Sequence, residues 1–330
     1  MDLSLAEKQV TEWAKEYAQA LGLKGSHIQA KYIWNPGGFV NQSYRLSDGV
    51  VSRHVKFALA HKAPSLKQWA MISDYLADHY NAPRLVQEVT HEILPGYSYG
   101  LVFEFIEGHP LSAASNPIPG VQKVLKTLNR LHTDRHIQRK LTSERVQSYA
   151  AAFTEEYISR FEEDLQGIRS ERHLLSFVTD DSIDWFEAEV DALRQIANQK
   201  PCFQKQATDV VHNDINWQNI LINDHHDFWM IDWDELSGSG DAAMDYSVLL
   251  WPFYYTTEWS FWRKQILLLT NEETLERMEL YFRAKHLDDV IDVLADYIEA
   301  ESIPDVREMT QQRAKETHLR AYADYMRLYA

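Results

Sequence analysis

Apolar and polar positions change rhythm along the chain, and the changes delimit its elements. Residues 4–21 carry apolar side chains at helical spacing, opened by Ser4-x-x-Glu7 in the form of a capping box and closed by Gly22. The pattern then turns to alternation or β-rich runs at 28–34 (IQAKYIW), 42–46 (QSYRL) and 50–58 (VVSRHVKFA), separated by the turn signals NPGG and SDG. These predict a three-strand meander. A helix is expected at about 65–80, stopped by NAPR, and two more strands at 84–93 and 99–106, joined through LPGYS.

From Gly108 onward the periodicity is mostly helical, over about 118–133, 143–167, 184–198, 242–253, 258–269, 272–285, 287–300 and 304–328. One stretch breaks the pattern: NILIN and FWMID, on either side of the polar turn DHHD, predict a short hairpin. A sheet-rich first third followed by a helical remainder indicates an α+β chain of two lobes, 1–107 and 108–330, joined near FEFIEGHPL at 103–111. No internal repeat or low-complexity tract is evident.

Composition narrows the class. The 330 residues are 45% hydrophobic and include 10 Trp, 17 Tyr and 13 Phe, a profile of a packed globular protein rather than a disordered one. A net charge of -16 argues against broad nucleic-acid binding and favours cationic ligands. One cysteine, Cys202, cannot form an intrachain disulfide, and no apolar run approaches the roughly 18 residues that span a membrane. With no leader pattern in MDLSLAEKQV, the cytoplasm is the expected location, without nucleic-acid or membrane partners.

The candidate chemistry lies in VVHNDINWQNILI, residues 210–222, which sets His212-x-Asp214-x-x-x-x-Asn219 between two apolar stretches. Rigid flanks holding polar side chains on a short turn preorganise a site. Downstream, WMIDWDE delivers Asp232 and Asp234 at a strand end, and the predicted hairpin brings the two turns together. Carboxylates with an Asn oxygen form a hard, all-oxygen set that suits Mg²⁺ and suits zinc poorly, and such a metal ordinarily serves a phosphate.

These residues resemble the aminoglycoside phosphotransferase and choline kinase superfamily, relatives of protein kinases. The likeness rests on VVHNDINWQNILIN, on MIDWDELSGSGDAAMDYS with Gly240-Asp241-x-x-x-Asp245, and on GGFVNQSYRL near the start. It implies a bilobal protein-kinase-like fold and transfer of the γ-phosphoryl group of ATP to a small-molecule hydroxyl with Mg²⁺. It assigns proton acceptance to Asp214 and metal binding to Asn219 and Asp232, with His212 bracing the loop. Asp234 is either a further metal ligand or a solvated acid. Asp241 and Asp245 either serve the start of the following helix or brace the loop.

In the first lobe the resemblance places the turn with Gly37 and Gly38, together with Asn41 and Ser43, over the nucleotide; the plain alternative is an ordinary hairpin turn. Strand alternation sets Lys56 on one face with Ser52 and His54, where it could reach the α- and β-phosphates. Kinase relatives pair this lysine with a glutamate on the next helix, but Gln68 or Trp69 occupies that register, with Asp74 the nearest acid. Glu104, Phe105 and Ile106 form the expected hinge to the adenine edge. For the acceptor, Asp234, Glu235 and Trp251, with the aromatic run at 249–262, suggest a cationic amino alcohol, a choline-like compound or an amino sugar, although aromatics at helical spacing more often belong to a core. Two other functions stay open: a pseudokinase that binds nucleotide without turnover, and a kinase of a neutral metabolite. A protein kinase is disfavoured, because no Ala-Pro-Glu segment follows the metal aspartate.

Overall fold

The structure is a computed structural model and describes residues 3–25, 27–34, 41–141, 147–225 and 227–329. In chain order the elements run α1 (Leu3–Glu16), β1 (Gln29–Tyr32), β2 (Asn41–Ser47), β3 (Ser52–Ala58), α2 (Ala63–Tyr80), β4 (Leu85–Val89), β5 (Tyr99–Glu104), β6 (His109–Pro110), α3 (Ile118–His132) and α4 (Arg135–Leu141). They continue with α5 (Tyr149–Phe153), α6 (Ser159–Ser170), α7 (Asp180–Gln199), β7 (Asp209–Val211), β8 (Ile220–Ile222), β9 (Phe228–Met230) and β10 (Ser237–Gly240). Four helices end the chain: α8 (Ala242–Leu250), α9 (Trp259–Leu269), α10 (Glu272–Glu299) and α11 (Arg307–Tyr329). The α+β class is as expected, an antiparallel sheet in the N-terminal region followed by a mainly helical remainder.

Contacts divide the chain into two compact units, Met1–Thr127 with Asp214–Leu236, and Leu128–Asn213 with Ser237–Ala330. This differs from a single join near 107/108, and the hydrogen bonds give the reason. The segment after Asn213 pairs its β8 with β6, and Asn81 at the end of α2 bonds Phe228 and Met230 at the two ends of β9.

In the first unit, a five-stranded antiparallel sheet has the order β1-β2-β3-β5-β4. One face of its strands packs Tyr44, Val55, Phe57 and Val102 against Val10 and Trp13 of α1, an apolar core that residues spaced by two on each strand can build. The opposite positions of β2 and β3 pair Ser43 with Lys56 and Arg45 with His54. Helix α2 packs on β5 and β4, burying Leu66, Trp69, Ile72 and Leu76, and Trp69 stacks on Phe103 of β5 at 4.3 Å. The hairpin expected around DHHD is present as β8 and β9, in register Ile220–Met230, and β6 adds a third strand. Gly108 permits that addition, since a Cβ there would stand 2.8 Å from the carbonyl oxygen of Ile222.

The Ser4 capping box does not form. Helix α1 already includes Ser4, and the Glu7 carboxylate instead accepts the N–H of Tyr32 at 2.9 Å. Gly22 does close the turns after α1, in left-handed backbone at φ 66°, with the Leu23 N–H reaching the carbonyl of Ala18.

The second unit is helical around α10, which packs on α6, α8 and α11. The stretches expected as two helices at 272–285 and 287–300 form this one helix, because AKHLDD at the expected break offers neither Gly nor Pro to end it. Asn271 caps it, accepting the N–H of Thr274 at 3.0 Å. Residues 143–146 of the helix expected at 143–167 lie outside the described residues. The rest runs from the Ser148 cap through α5 into α6, with one π-helical turn at Thr154–Ile158 between them. Strands β7 and β10 pair antiparallel although SGSG has no β propensity; Gly240 is required there, since a Cβ would come 2.0 Å from Cγ2 of Val211. No described helix is long and apolar enough to cross a membrane.

Candidate active site

Within the first unit a cavity of about 520 Å³ gathers the residues that the two turns were expected to deliver. Asp214, Asn219, Asp232 and Asp234 line it together with Lys56. Local folding explains the convergence. The N–H of Ile231 donates to the carbonyl of Asn219 at 2.9 Å, extending the β8–β9 pairing by one step and setting Asn219 beside the residue that precedes Asp232. Trp233, fully buried, anchors the span between the acids by donating its indole N–H to the carbonyl of Met230 at 2.6 Å. Asp232 sits in left-handed backbone at φ 66°, a conformation that non-glycine residues rarely adopt and that tends to gather at functional sites.

Two amides hold the Asp214 carboxylate. Asn216 donates to one oxygen at 2.8 Å, and Asn219 donates to the other at 2.7 Å and to the backbone carbonyl of Asp214 at 2.9 Å. Burial pushes the Asp214 carboxyl up to about 6, aided by the charge of Asp234, while the two asparagine hydrogen bonds and Lys56 pull the other way. Asp234 is likewise pushed up to about 6, first by burial and then by Asp232.

Lys56 is buried rather than solvated at the strand surface. Its ammonium bonds the Asp232 carboxylate closely and that of Asp234 at 2.8 Å. Burial disfavours its charge, but the two carboxylates outweigh that and raise its pKa. The partner that α2 lacks is therefore supplied by the turn after β9. Trp69, at the register where kinase relatives carry a glutamate, stacks on Phe103, Gln68 donates to the carbonyl of Leu236, and Asp74 is exposed.

The other expected nucleotide residues divide by location. Asn41 and Ser43 of β2 line the cavity, and the Asn41 amide donates to Asp234 at 3.1 Å. Gly37 and Gly38 lie outside the described residues. Glu104, Phe105 and Ile106 line the cavity too, but the Glu104 N–H is engaged with the carbonyl of Arg84 at 2.9 Å, so only Phe105 and Ile106 follow outside the strand ladder. His54 is a wall residue that strand alternation identifies; burial, then Lys56, lowers its pKa to about 4, so its imidazole is neutral. Glu235 is exposed at the cavity and pairs with Lys62 at 3.2 Å.

The remaining predicted residues belong to the second unit. His212 is fully buried there, and its backbone N–H and that of Asn213 donate to the two oxygens of Asp245, each at 2.9 Å. The Nε2 of His132 bonds Asp245 at 2.9 Å as well. Asp245 thus braces the strand end that leads to Asp214, while Asp241 caps α8 through the Ala243 N–H and grips Arg277 at 2.7 and 3.0 Å. Trp251 packs among Tyr255, Phe282 and His286, the core-like surroundings that helical spacing anticipates. Sequence reasoning passed over Asn216 and His132. Asn216, two residues from Asp214 on a polar turn, carried a local signal; His132, 113 residues from Asp245, carried none.

Among the described residues no cluster of three His, Cys, Asp or Glu side chains is placed to hold a metal ion. The candidate set is instead two carboxylates and one amide. Lys56 shows that Asp232 and Asp234 converge on a single cationic group. The Asn219 NH₂ faces two oxygens of Asp214, which leaves its side-chain oxygen with no hydrogen-bond donor among the described residues. That arrangement fits a hard cation.

Comparisons with known proteins bear on the fold and the family. No curated protein sequence matches the chain significantly. Among solved structures, an ethanolamine kinase of Plasmodium vivax is 12% identical, the match covering 92% of this chain and 85% of that one at a TM-score of 0.60. A spectinomycin phosphotransferase in complex with ADP and spectinomycin is 13% identical, covering 96% and 98% at 0.56. The choline kinase LicA from Streptococcus pneumoniae is 14% identical, covering 93% and 98% at 0.57. These likenesses support the kinase-like fold, and the family follows from a sequence model of phosphotransferase enzymes that matches residues 34–281. With three quarters of its length inside that match, the chain belongs to the phosphotransferase enzyme family.

Proposed function

We propose that the chain is an ATP- and Mg²⁺-dependent kinase that transfers the γ-phosphoryl group to a hydroxyl of a cationic small molecule, an amino alcohol, choline-like compound or amino sugar. The observation that carries this reading is the convergence of Asp214, Asn219, Asp232, Asp234 and Lys56 on one cavity. Asp214 takes the proton of the acceptor hydroxyl as its oxygen bonds to the γ-phosphorus, and the bond from that phosphorus to the bridging oxygen breaks to release ADP. Asn219 and Asp232, with Asp234, would hold the metal. A bound Mg²⁺ would supply neutralisation of the phosphate charge. Lys56 supplies a fixed positive charge for the phosphates, and Phe105 and Ile106 offer backbone groups to the base. His212 has a structural part in the loop. The net charge of -16 supports a cationic acceptor, as do the proteins of similar fold named for ethanolamine, spectinomycin and choline, which carry amine or quaternary ammonium groups.

The test combines binding and turnover. Mg·ATP should raise the melting temperature of both the wild type and Asp214→Asn, whereas Mg·ATP-dependent ADP release should fall about 10²- to 10⁴-fold in the variant. Stabilisation by Mg·ATP without ADP release from the wild type would instead favour a nucleotide-binding pseudokinase. A screen in which only neutral or anionic hydroxyl compounds stimulate ADP release would overturn the cationic acceptor.

A further inference from the structure

A carboxylate that accepts a proton in the transfer must be aimed as well as present, and the turn that carries Asp214 contains a strut for that purpose. Asn216 stands two residues further on, with the fully buried Ile215 anchoring the backbone between them. Its side-chain oxygen accepts the N–H groups of Gln218 at 2.8 Å and Asn219 at 3.3 Å. Two backbone donors on that atom fix which end of the amide is oxygen, so the NH₂ end is the one directed at Asp214, 2.8 Å from its Oδ1. The backbone carbonyl of Asn216 also accepts the Asn219 N–H at 3.0 Å. Both ends of this side chain are therefore committed, one to the turn and one to Asp214.

We infer that Asn216 is a positioning residue, which fixes the rotation of the Asp214 carboxylate against the acceptor hydroxyl. The inference rests on the phosphoryl-transfer reading of the cavity. Asn219, the asparagine of the motif, holds only the other oxygen, Oδ2. With Asn216 on Oδ1 and Asn219 on Oδ2, the two amides bear on the carboxylate's rotation about its Cβ–Cγ bond from both sides. The motif His-x-Asp-x-x-x-x-Asn leaves this position unspecified. Asn216 acts through Asp214 and has no part in holding the nucleotide.

The test uses Asn216→Asp and Asn216→Ser, each of which keeps an oxygen able to cap the turn while removing the N–H donor to Asp214. Mg·ATP-dependent ADP release is measured with choline, ethanolamine and kanamycin as probe acceptors and with no acceptor. We expect kcat to fall about 10- to 100-fold with the KM for ATP within about twofold of wild type. Melting temperatures should stay near that of the wild type, and Asn216→Ser added to Asp214→Asn should cause no further loss, since the strut would then have nothing left to aim. Wild-type kcat in both variants overturns the inference, as does a fall that is matched by a rise in KM or that adds fully to the loss from Asp214→Asn. A wild type that releases no ADP under any of these conditions overturns the phosphoryl-transfer reading itself, a result distinct from an active wild type with unaffected Asn216 variants.

Discussion

Replacing Arg277 with Met isolates a deeply buried charge pair of the second unit. The guanidinium grips Asp241 with two nitrogens, at 2.7 and 3.0 Å, and the two side chains are only 4% and 0% exposed. It also lies 3.8 Å over the ring of Tyr149. Removing one partner of such a pair strands the other charge away from water, which costs about 3–5 kcal/mol and corresponds to a fall in melting temperature of roughly 4–7 °C for a chain of this size. The cost has a pH signature. Burial already raises the Asp241 carboxyl above its ordinary value, with Arg277 and the Ala243 N–H opposing the rise. Without Arg277 the carboxyl rises further, so the folded state holds its proton to higher pH than the unfolded chain does. The variant's deficit is then smallest below about pH 4, where both states are protonated, and grows as pH rises until the folded-state carboxyl ionises. Urea unfolding of Arg277→Met, Asp241→Asn and the double variant, at acidic and at mildly basic pH, measures each contribution. The double variant should recover at least half of the single-variant loss at the higher pH. A deficit below about 1 kcal/mol, or one that does not change with pH, would refute the stranded-charge argument.

Lys56→Met leaves Asp232 and Asp234 facing one another without a cation, so Mg²⁺ alone should raise its melting temperature more than that of the wild type; equal shifts would contradict the assignment of these acids as metal ligands. Asp245→Asn turns an amide NH₂ toward groups that include two backbone N–H donors, and should lower the unfolding free energy in urea by about 3 kcal/mol; a loss under about 1 kcal/mol would show that the His212–Asn213 brace is not needed. Gly240→Ala forces a methyl against Val211 and should destabilise by about 1–3 kcal/mol, with Val211→Ala restoring part of the loss; the absence of any restoration would place the strain elsewhere.

The sequence carried the site further than the fold. Asp214, Asn219, Asp232 and Asp234 were legible because their chemistry is local: each turn is a few residues long, and a hairpin pattern joins the two. Lys56 was legible through strand alternation, but its partners were not, since nothing in the spacing of β3 shows that acids more than 170 residues away arrive beside it. Asp245 shows the same limit. Its place near the start of α8 was plain, whereas its bonds to His212 and Asn213 span 33 and 32 residues and are set by packing. Strand β10 was hidden for a different reason, because the small residues that let SGSG approach β7 closely are those that local propensity assigns to a loop.

The grip of Lys56 on Asp232 and Asp234 bears on the order in which ligands load. Both acids already have a partner, so under the proposed kinase reading a divalent ion arriving alone would have to displace the Lys56 ammonium. An ion escorted by a triphosphate changes the exchange, because phosphate oxygens offer the displaced lysine a new anion. The empty protein is thereby expected to ignore Mg²⁺ by itself and to take it up together with nucleotide, which isothermal titration of each ligand separately and then jointly would reveal.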